Sequence, residues 1–353
     1  KKNMKMTPNF ILFIFLLNFY ALFHVNFPLY AADEKNFYSL SRDYKKNTEE
    51  KKYLEALLSA SRALKISSQK FGKGSDEFRF IYNDLKNLLD FEWGDDPPLA
   101  KLKQAEEELQ NLLTPGDIFF IRLQEKIANI FYSQGKYSDA EKIYRNLVKI
   151  KIKFLKPDVY ETSMSMTDLS YSLSANGNYK EAEKIANKAL NLFLEKYEEN
   201  NARIIPILES LSKALSGQGL YKESELLSRR LLKMERKIYG ENHPEFALSL
   251  HSLSLDLLHQ GRYGASEKYL KLAIKINRNE SDPNSTALAE NLLILGHLTA
   301  EKGEYLRAIE IEREAVNILK RVLGAEHPDT ARATANLAVS IHAIGEYAEA
   351  EKL

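Results

Sequence analysis

The chain has 353 residues, 44% of them hydrophobic, enough to bury a large core as two ordinary domains or as one long repeat array. Lys and Arg number 50 against 49 Asp and Glu, so no excess of one sign steers it toward nucleic acid or an acidic surface. It has no cysteine, which excludes a disulfide framework, thiol catalysis, a zinc-thiolate site and a lipid-modified N-terminal cysteine.

At the start, Lys1, Lys2 and Lys5 precede an apolar run from Phe10 to Val25, followed by Pro28 and the small pair Ala31-Ala32. That order is the plan of a secretory signal peptide. Residues 1–32 are therefore expected to be a cleaved leader or, if the run is kept, a membrane anchor of about the shortest spanning length. Both place the rest of the chain outside the cytosol: periplasmic, secreted or anchored on the extracytoplasmic side. The membrane is then met only through this segment.

From Asp117 onward the chain repeats itself. Gly-x-Tyr recurs at Gly135/Tyr137, Gly177/Tyr179, Gly219/Tyr221, Gly261/Tyr263, Gly303/Tyr305 and Gly345/Tyr347, every 42 residues. Eight before each glycine stands Ile127, Leu169, Leu211, Leu253, Leu295 or Leu337, and seven before it a small residue, from Ala128 and Ser170 to Gly296 and Ala338. With the residues eleven and four before the glycine, these form one stripe of a 3.6-residue helix, helix A of a hairpin.

The glycine suits the left-handed position that ends helix A, and the tyrosine is expected to fold back into the core. Helix B follows, with a small residue five after the glycine (Ala140, Ala182, Ser224, Ser266, Ala308, Ala350) opposing the small one of helix A. Gly240 to Pro244 and Gly324 to Pro328 stop one helix and start the next, with Lys156-Pro157 and Asp282-Pro283 in the same role. His243 and His327 are linker residues there, with a structural role.

Residues 36–116 carry the period more faintly. Tyr53 lies 84 residues before Tyr137 and Gly72 lies 168 before Gly240, both multiples of 42. Asn47–Ile66 is expected to be a helix B, and Trp93–Pro98 and Leu113–Asp117 loops around a degenerate repeat with Asp95 in the tyrosine's place. The whole is an all-α, right-handed superhelical solenoid of antiparallel hairpins: degenerate repeats over 36–116 and the regular array over 117–353, its last repeat truncated.

The pattern Leu-small-x-x-apolar then Gly-x-Tyr-x-x-Ala resembles the tetratricopeptide repeat. The 42-residue length with a Gly-x-x-His-Pro linker is similar to the kinesin-light-chain subtype, and a signal peptide ahead of such repeats is similar to bacterial members. The resemblance implies A helices lining a groove for extended peptides or partner segments, with no cofactor and no catalysis. In that subtype neighbouring asparagines ten and nine before the glycine hold the ligand backbone; here only Asn336 matches, and the same place holds Lys126, Asp168, Ser210, Ser252 and Ile294.

By helical angle the groove is expected along positions thirteen, nine, six and two before each glycine. The candidate lining is Lys126, Asn129, Asp168, Tyr171, Ser210, Lys213, Ser252, Leu255, His259, His297 and Asn336. The histidines at His259, His297 and His342 form no ladder and no His-Glu-x-x-His spacing occurs, so no metal site is expected. No nucleophile triad, phosphate loop or paired carboxylates at a useful spacing emerge, so neither catalytic nor cofactor-binding residues are assigned.

The expected function is that of an exported scaffold binding a protein or peptide, and not nucleic acid. The alternative is the repeat region of a larger effector or enzyme, for example one with a caspase-like protease domain after the array. Self-association through an uncapped C-terminal end is a further expectation.

Overall fold

The computed structural model describes residues 31–89, 99–154, 159–279 and 285–353. The Phe10–Val25 run, Asp95, Pro157 and Pro283 lie outside the described residues. Every element among the described residues is helical, with no strand. The chain forms two compact units, one ending at Ile127 and the other running from Ala128 to Leu353.

The first unit contains α1 (Ala31–Glu49), α2 (Tyr53–Lys70), α3 (Asp76–Leu88) and α4 (Leu99–Gln110), together with the first part of α5 (Ile118–Ser133). Leu57, Leu64, Ile81, Leu85, Leu102 and Leu109 form its buried interior. Helix B of this region begins at Tyr53, not at Asn47 as expected. Residues 47–49 end the preceding helix, because Lys51 occupies the left-handed region at φ 58°. Lys51 lies two periods before Gly135, and the Lys52 amide donates to the Asn47 carbonyl at 2.7 Å, the same turn that glycine makes in later repeats. A lysine pays the left-handed strain here, which hides the repeat from a search for glycine.

In the second unit A and B helices alternate: the rest of α5, then α6 (Tyr137–Phe154), α7 (Val159–Ala175), α8 (Tyr179–Leu194), α9 (Ile205–Gly217), α10 (Tyr221–Ile238), α11 (Pro244–His259) and α12 (Tyr263–Arg278). They are followed by α13 (Thr286–Glu301), α14 (Tyr305–Val322), α15 (Pro328–Ala343) and α16 (Tyr347–Lys352). The six Gly-x-Tyr glycines all have φ between 72° and 88°. In each turn the amide after the glycine reaches back to the carbonyl four before it, as Leu220 to Leu215 at 3.0 Å and Arg262 to Leu257 at 2.9 Å.

The A helices start on a second periodic device that the linker prolines only hint at. Ser75, Asp117, Asn201, His243, Ser285 and His327 stand at multiples of 42 from one another, and each accepts a nearby backbone amide, in the first turn of the A helix or, at Asn201, in the short 3-10 turn Ala202–Ile204 that leads into α9. At His243 and His327 the acceptor is Nδ1, at 3.2 Å in both, so these rings are helix caps.

Within three of the hairpins the small residues meet through a hydrogen bond. Ser170 donates to the Ala182 carbonyl at 3.0 Å, Ser224 to Ser212 at 3.1 Å and Ser266 to Ser254 at 2.7 Å, so the backbones approach closely enough for a side chain to bond the facing main chain. Between repeats, the A helices of the pairs α7/α9, α11/α13 and α13/α15 touch, while no two successive B helices come as close. The A helices therefore form the inner side of this unit.

The Gly-x-Tyr tyrosines are not core residues. Tyr137, Tyr179 and Tyr221 are half-buried, Tyr263 is 46% exposed and Tyr347 63%. Two of the rings lean onto the next repeat, at the residue two before its glycine, whereas Tyr137 meets Tyr132 and Tyr347 meets His342 edge-on within their own repeats. Tyr179 lies where a side chain on Gly217 would be, and Tyr221 stacks on His259 with centroids 4.7 Å apart.

Candidate functional site

The inner positions of the A helices stay reachable in most repeats without recurring in identity. Asn129, Lys213, His259, His297 and Asn336 are exposed, and Lys126, Asp168, Tyr171, Ser252 and Leu255 half-buried. Ser210 does not belong with them. It is 0% exposed and its hydroxyl donates to the Ile207 carbonyl at 2.9 Å, while its neighbour Glu209 is half-buried.

Several of these residues are already engaged. Lys126, in the first unit, donates to the Leu89 carbonyl at 3.0 Å. In the second unit the Tyr144 hydroxyl donates to Asn129 Oδ1, and Ser252 Oγ to the Leu248 carbonyl at 3.2 Å. The structure links Lys213, Tyr171 and Glu209 through the tyrosine. Tyr171 donates to Glu209 Oε2 at 3.3 Å, while Lys213 Nζ lies over the Tyr171 ring at 5.6 Å. Burial and the Glu209 charge hold the Tyr171 phenol well above its ordinary range.

Glu209 was not legible as a site residue, since its partners lie on other repeats. Burial, with the facing Glu235 and Glu245 carboxylates, pushes its carboxyl up to about 7. Glu235, near the end of α10, is fully buried, and burial pushes it too up to about 7 against the pull of a hydrogen bond from Ser249 Oγ at 2.7 Å. Glu245, in the first turn of α11, is exposed.

Glu245 is also the first wall of a cavity of about 170 Å³ between α11 and α13, lined among others by Leu248, His251, Ala287, Glu290 and Asn291. His251 Nδ1 and Asn291 Oδ1 are 3.0 Å apart across it. The site thus offers hydrogen-bonding groups, a short apolar wall and carboxylates on an inner helical surface. That is equipment for holding an extended segment. Among the described residues no group of three or more His, Asp or Glu is placed to hold a metal ion, and no helix is long and apolar enough to cross a membrane.

No curated protein matches the sequence significantly. Among solved structures, a Rap protein complexed with Competence and Sporulation Factor is similar over 91% of this chain and 94% of its own, at 14% identity and a TM-score of 0.55. BtubC (BKLC) from P. vanneervenii is similar over 65% and 92%, at 18% identity and 0.51. A STAND protein with a tetratricopeptide repeat sensor from Pyrococcus horikoshii is similar over 85% of this chain and 44% of its own, at 18% and 0.53. At these identities the likeness is one of fold. Two family models described as tetratricopeptide repeat match residues 119–195 and 280–353, and residues 207–245 and 246–285. With its hairpins and their 42-residue register on the same residues, the chain belongs to the tetratricopeptide-repeat family.

Proposed function

We propose that this protein is an exported scaffold that holds a protein or extended peptide along the inner A-helix face of its second unit and performs no catalysis of its own. The observation that carries the reading is the sorting of positions. Turn, cap and packing residues recur every 42 residues, whereas the accessible inner residues change from Asp168 to Lys213, His259 and Asn336. Positions whose residues change while the fold around them is kept, facing a shared surface, are what selective recognition uses. The Rap structure with Competence and Sporulation Factor supports it as a case of this fold holding a bound factor.

A photo-crosslinking residue in place of Leu255, on the inner face, is compared in the native host with one in place of Leu226, 71% exposed on helix α10. The reading expects a discrete crosslinked partner from position 255 and none from 226; equal or absent labelling at 255 removes it. Export is supported by the Lys1 to Ala32 pattern. Its test is fractionation of the host with mass measurement of the protein's N-terminus, and a cytosolic protein beginning upstream of residue 32 refutes it.

A second reading makes this array the sensing part of a longer effector or enzyme, as tetratricopeptide repeats are in the Pyrococcus protein, of whose length this chain covers 44%. A coding sequence continuing beyond Leu353 into a further folded domain supports it, and a stop within a capping helix opposes it.

A further inference from the structure

We infer that the outward stripe of helices α6, α8, α10 and α12 is a docking face for the anionic headgroups of a phospholipid bilayer. It lies on the B helices, away from the A-helix face, and does not rest on the inner-face reading.

The balance of 50 Lys and Arg against 49 Asp and Glu conceals a division between the two layers of the second unit. The A helices α7, α9, α11 and α13 hold a single Lys or Arg, Lys213, while acids recur along them, as at Glu161, Asp168, Glu290 and Glu301. In the B helices the packed positions are five, eight, twelve and thirteen after the glycine, so those three, seven, eleven, fourteen and eighteen after it point away from the core. In α6, α8, α10 and α12, C-caps included, these outward places hold twelve Lys or Arg and one carboxylate, Glu195. Lys142, Lys184 and Lys268 make the row at seven, and Lys149, Lys233 and Lys275 the row at fourteen, every one exposed. The stripe ends at α14, where Glu310 and Glu314 enter it.

Neither ion pairing nor the helix dipole explains this surplus. The carboxylates beside the stripe are held by other cations: Arg145 pairs with Glu141 at 2.8 Å and Glu181 at 2.6 Å, Arg229 with Glu225 at 2.7 Å, and Lys271 with Glu267 at 2.8 Å. Within the stripe Lys142 pairs with Asp139 and Arg230 with Glu199, and the other ten cations form no ion pair with a described residue. A helix dipole favours cations in the last turn, yet Lys180 and Lys222 stand in the first turn of α8 and α10, where it opposes them.

The same stripe carries bare apolar side chains. Leu226, 71% exposed, takes the place at seven in α10, and Leu272, 39% exposed, the place at eleven in α12. None of its positions holds Phe, Tyr, Trp or His, the side chains on which a bound nucleic acid stacks its bases. Unpaired ammonium groups with leucines among them suit a bilayer surface, where the cations meet lipid phosphates and the leucines enter the headgroup boundary. Each stripe runs fifteen residues, about 22 Å at 1.5 Å per residue, and four of them side by side make a broad face. The contact is peripheral, since no described helix is long and apolar enough to cross a membrane.

The apolar run Phe10–Val25 would bring an unprocessed chain to any bilayer, so the readout has to be local. The chain has no cysteine, and Leu226→Cys or Leu255→Cys in the full chain therefore places one polarity-sensitive fluorophore on the outer or the inner face. Vesicles of phosphatidylcholine are compared with vesicles that also contain phosphatidylglycerol. The anionic vesicles should move the emission at 226 to shorter wavelength and leave that at 255 unchanged, and the neutral ones should move neither. About 1 M salt, where screening acts over about 3 Å, should abolish the shift.

In the labelled Leu226→Cys chain, Lys184→Gln/Lys188→Gln/Lys233→Gln/Lys237→Gln should raise the vesicle concentration for half the shift by about a hundredfold or more, at roughly fivefold per lysine. Circular dichroism checks that helicity is kept. The opposite change, Glu310→Lys on α14, should lower that concentration by about fivefold or more. No shift at 226, an equal shift with neutral vesicles or at 255, or a titration that neither variant moves overturns the inference. A shift at 226 with single-stranded RNA but none with vesicles overturns it too, in favour of nucleic acid. None of these outcomes bears on a partner crosslinked at position 255, so the inner-face reading stands or falls separately.

Discussion

Two joints of the second unit solve the same packing problem with opposite materials. Where α11 meets the hairpin of α9 and α10, the interior is largely hydroxyl: Asp256 accepts from Ser216 at 2.8 Å and Ser224 at 2.7 Å, with Ser212 and Ser228 beside them. Where α15 meets the hairpin of α13 and α14, Leu288, Leu292, Leu293, Val316, Ile318, Leu319, Leu337 and Ile341 form one apolar cluster. Yet the same slot holds an acid and a serine in both. Nine after the glycine and five before the next stand Ser228 and Asp256 in the first joint, and Glu312 and Ser340 in the second. The acid has crossed the interface. In the hydroxyl joint it is fully hydrogen-bonded, whereas Glu312 has only Ser340 and leaves Oε2 without a partner. The 42-residue period thus dictates where helices meet and leaves open what fills the meeting.

The largest effect should come from breaking the apolar joint. Leu319→Ala removes a side chain 1% exposed and is expected to cost about 2–5 kcal/mol in urea unfolding. A loss below about 1 kcal/mol would mean that the cluster collapses around the gap.

The paired acids come next. Asp256→Ala strands the Ser216 hydroxyl, leaves Ser224 to its Ser212 acceptor and should destabilise by about 1–3 kcal/mol. Glu312→Gln removes a poorly solvated charge and should be neutral or stabilising. If both variants lose stability alike, the contrast between the joints is one of appearance only.

The carboxyls also fix a pH dependence. Burial holds Asp256 and Glu312 above the usual carboxylate range and pushes Glu209 and Glu235 up to about 7. A group raised in the folded state binds its proton more tightly there, so its stabilisation is full below the unfolded value and is lost as pH rises through the folded one. The melting midpoint should therefore fall between about pH 5 and pH 8, by a few degrees for each kcal/mol lost. Glu235→Gln should flatten that slope. Glu267 runs the other way: hydrogen bonds from Lys271 and Lys302 push it down to about 2, so its contribution is present above its ordinary range and is lost only in strong acid.

How much of this was legible follows from where partners lie in sequence. The turn glycines, the small residues of each hairpin and the helix order announce themselves because they recur at a fixed place. The joints do not, because Ser228 and Asp256 are 28 residues apart and neither position repeats its chemistry. Glu209, Glu235 and Glu245 escape for the same reason. Ser210 is misassigned because an angular count gives one face to a position in every repeat, whereas in α9 that position is buried. Lys51 was missed because a residue other than glycine makes the turn.

The tyrosine correction carries a smaller prediction. Because Tyr221 is half-buried and stacked on His259, Tyr221→Ala should cost about 1–2 kcal/mol, short of the 3–5 of a buried aromatic. A double-mutant cycle with His259→Ala should recover about 0.5–1.5 kcal/mol of coupling, and a coupling near zero would make the stack incidental.

The smallest expected effect belongs to a latch that runs through four joints. Six after the glycine stand Glu141, Glu183, Glu225 and Glu267, and each accepts a hydrogen bond from the residue just before the next glycine: Asn176, Gln218, Gln260 and Lys302. In the joint of α14 with α15 both places are isoleucine, Ile309 and Ile344, so the change from polar to apolar filling extends to the outer edge of the contact. Lys302 is 40% exposed at its side chain, and an ion pair so open to solvent is worth little. Lys302→Ala should therefore cost about 0.2–1 kcal/mol and lose most of that difference in about 1 M salt, where screening acts over about 3 Å. Gln260→Ala, whose bond to Glu225 is from a neutral donor, should cost a similar amount that salt leaves largely in place. Equal salt sensitivity in the two would mean that the glutamates act through the general field of the helix and not through the residue that each one touches.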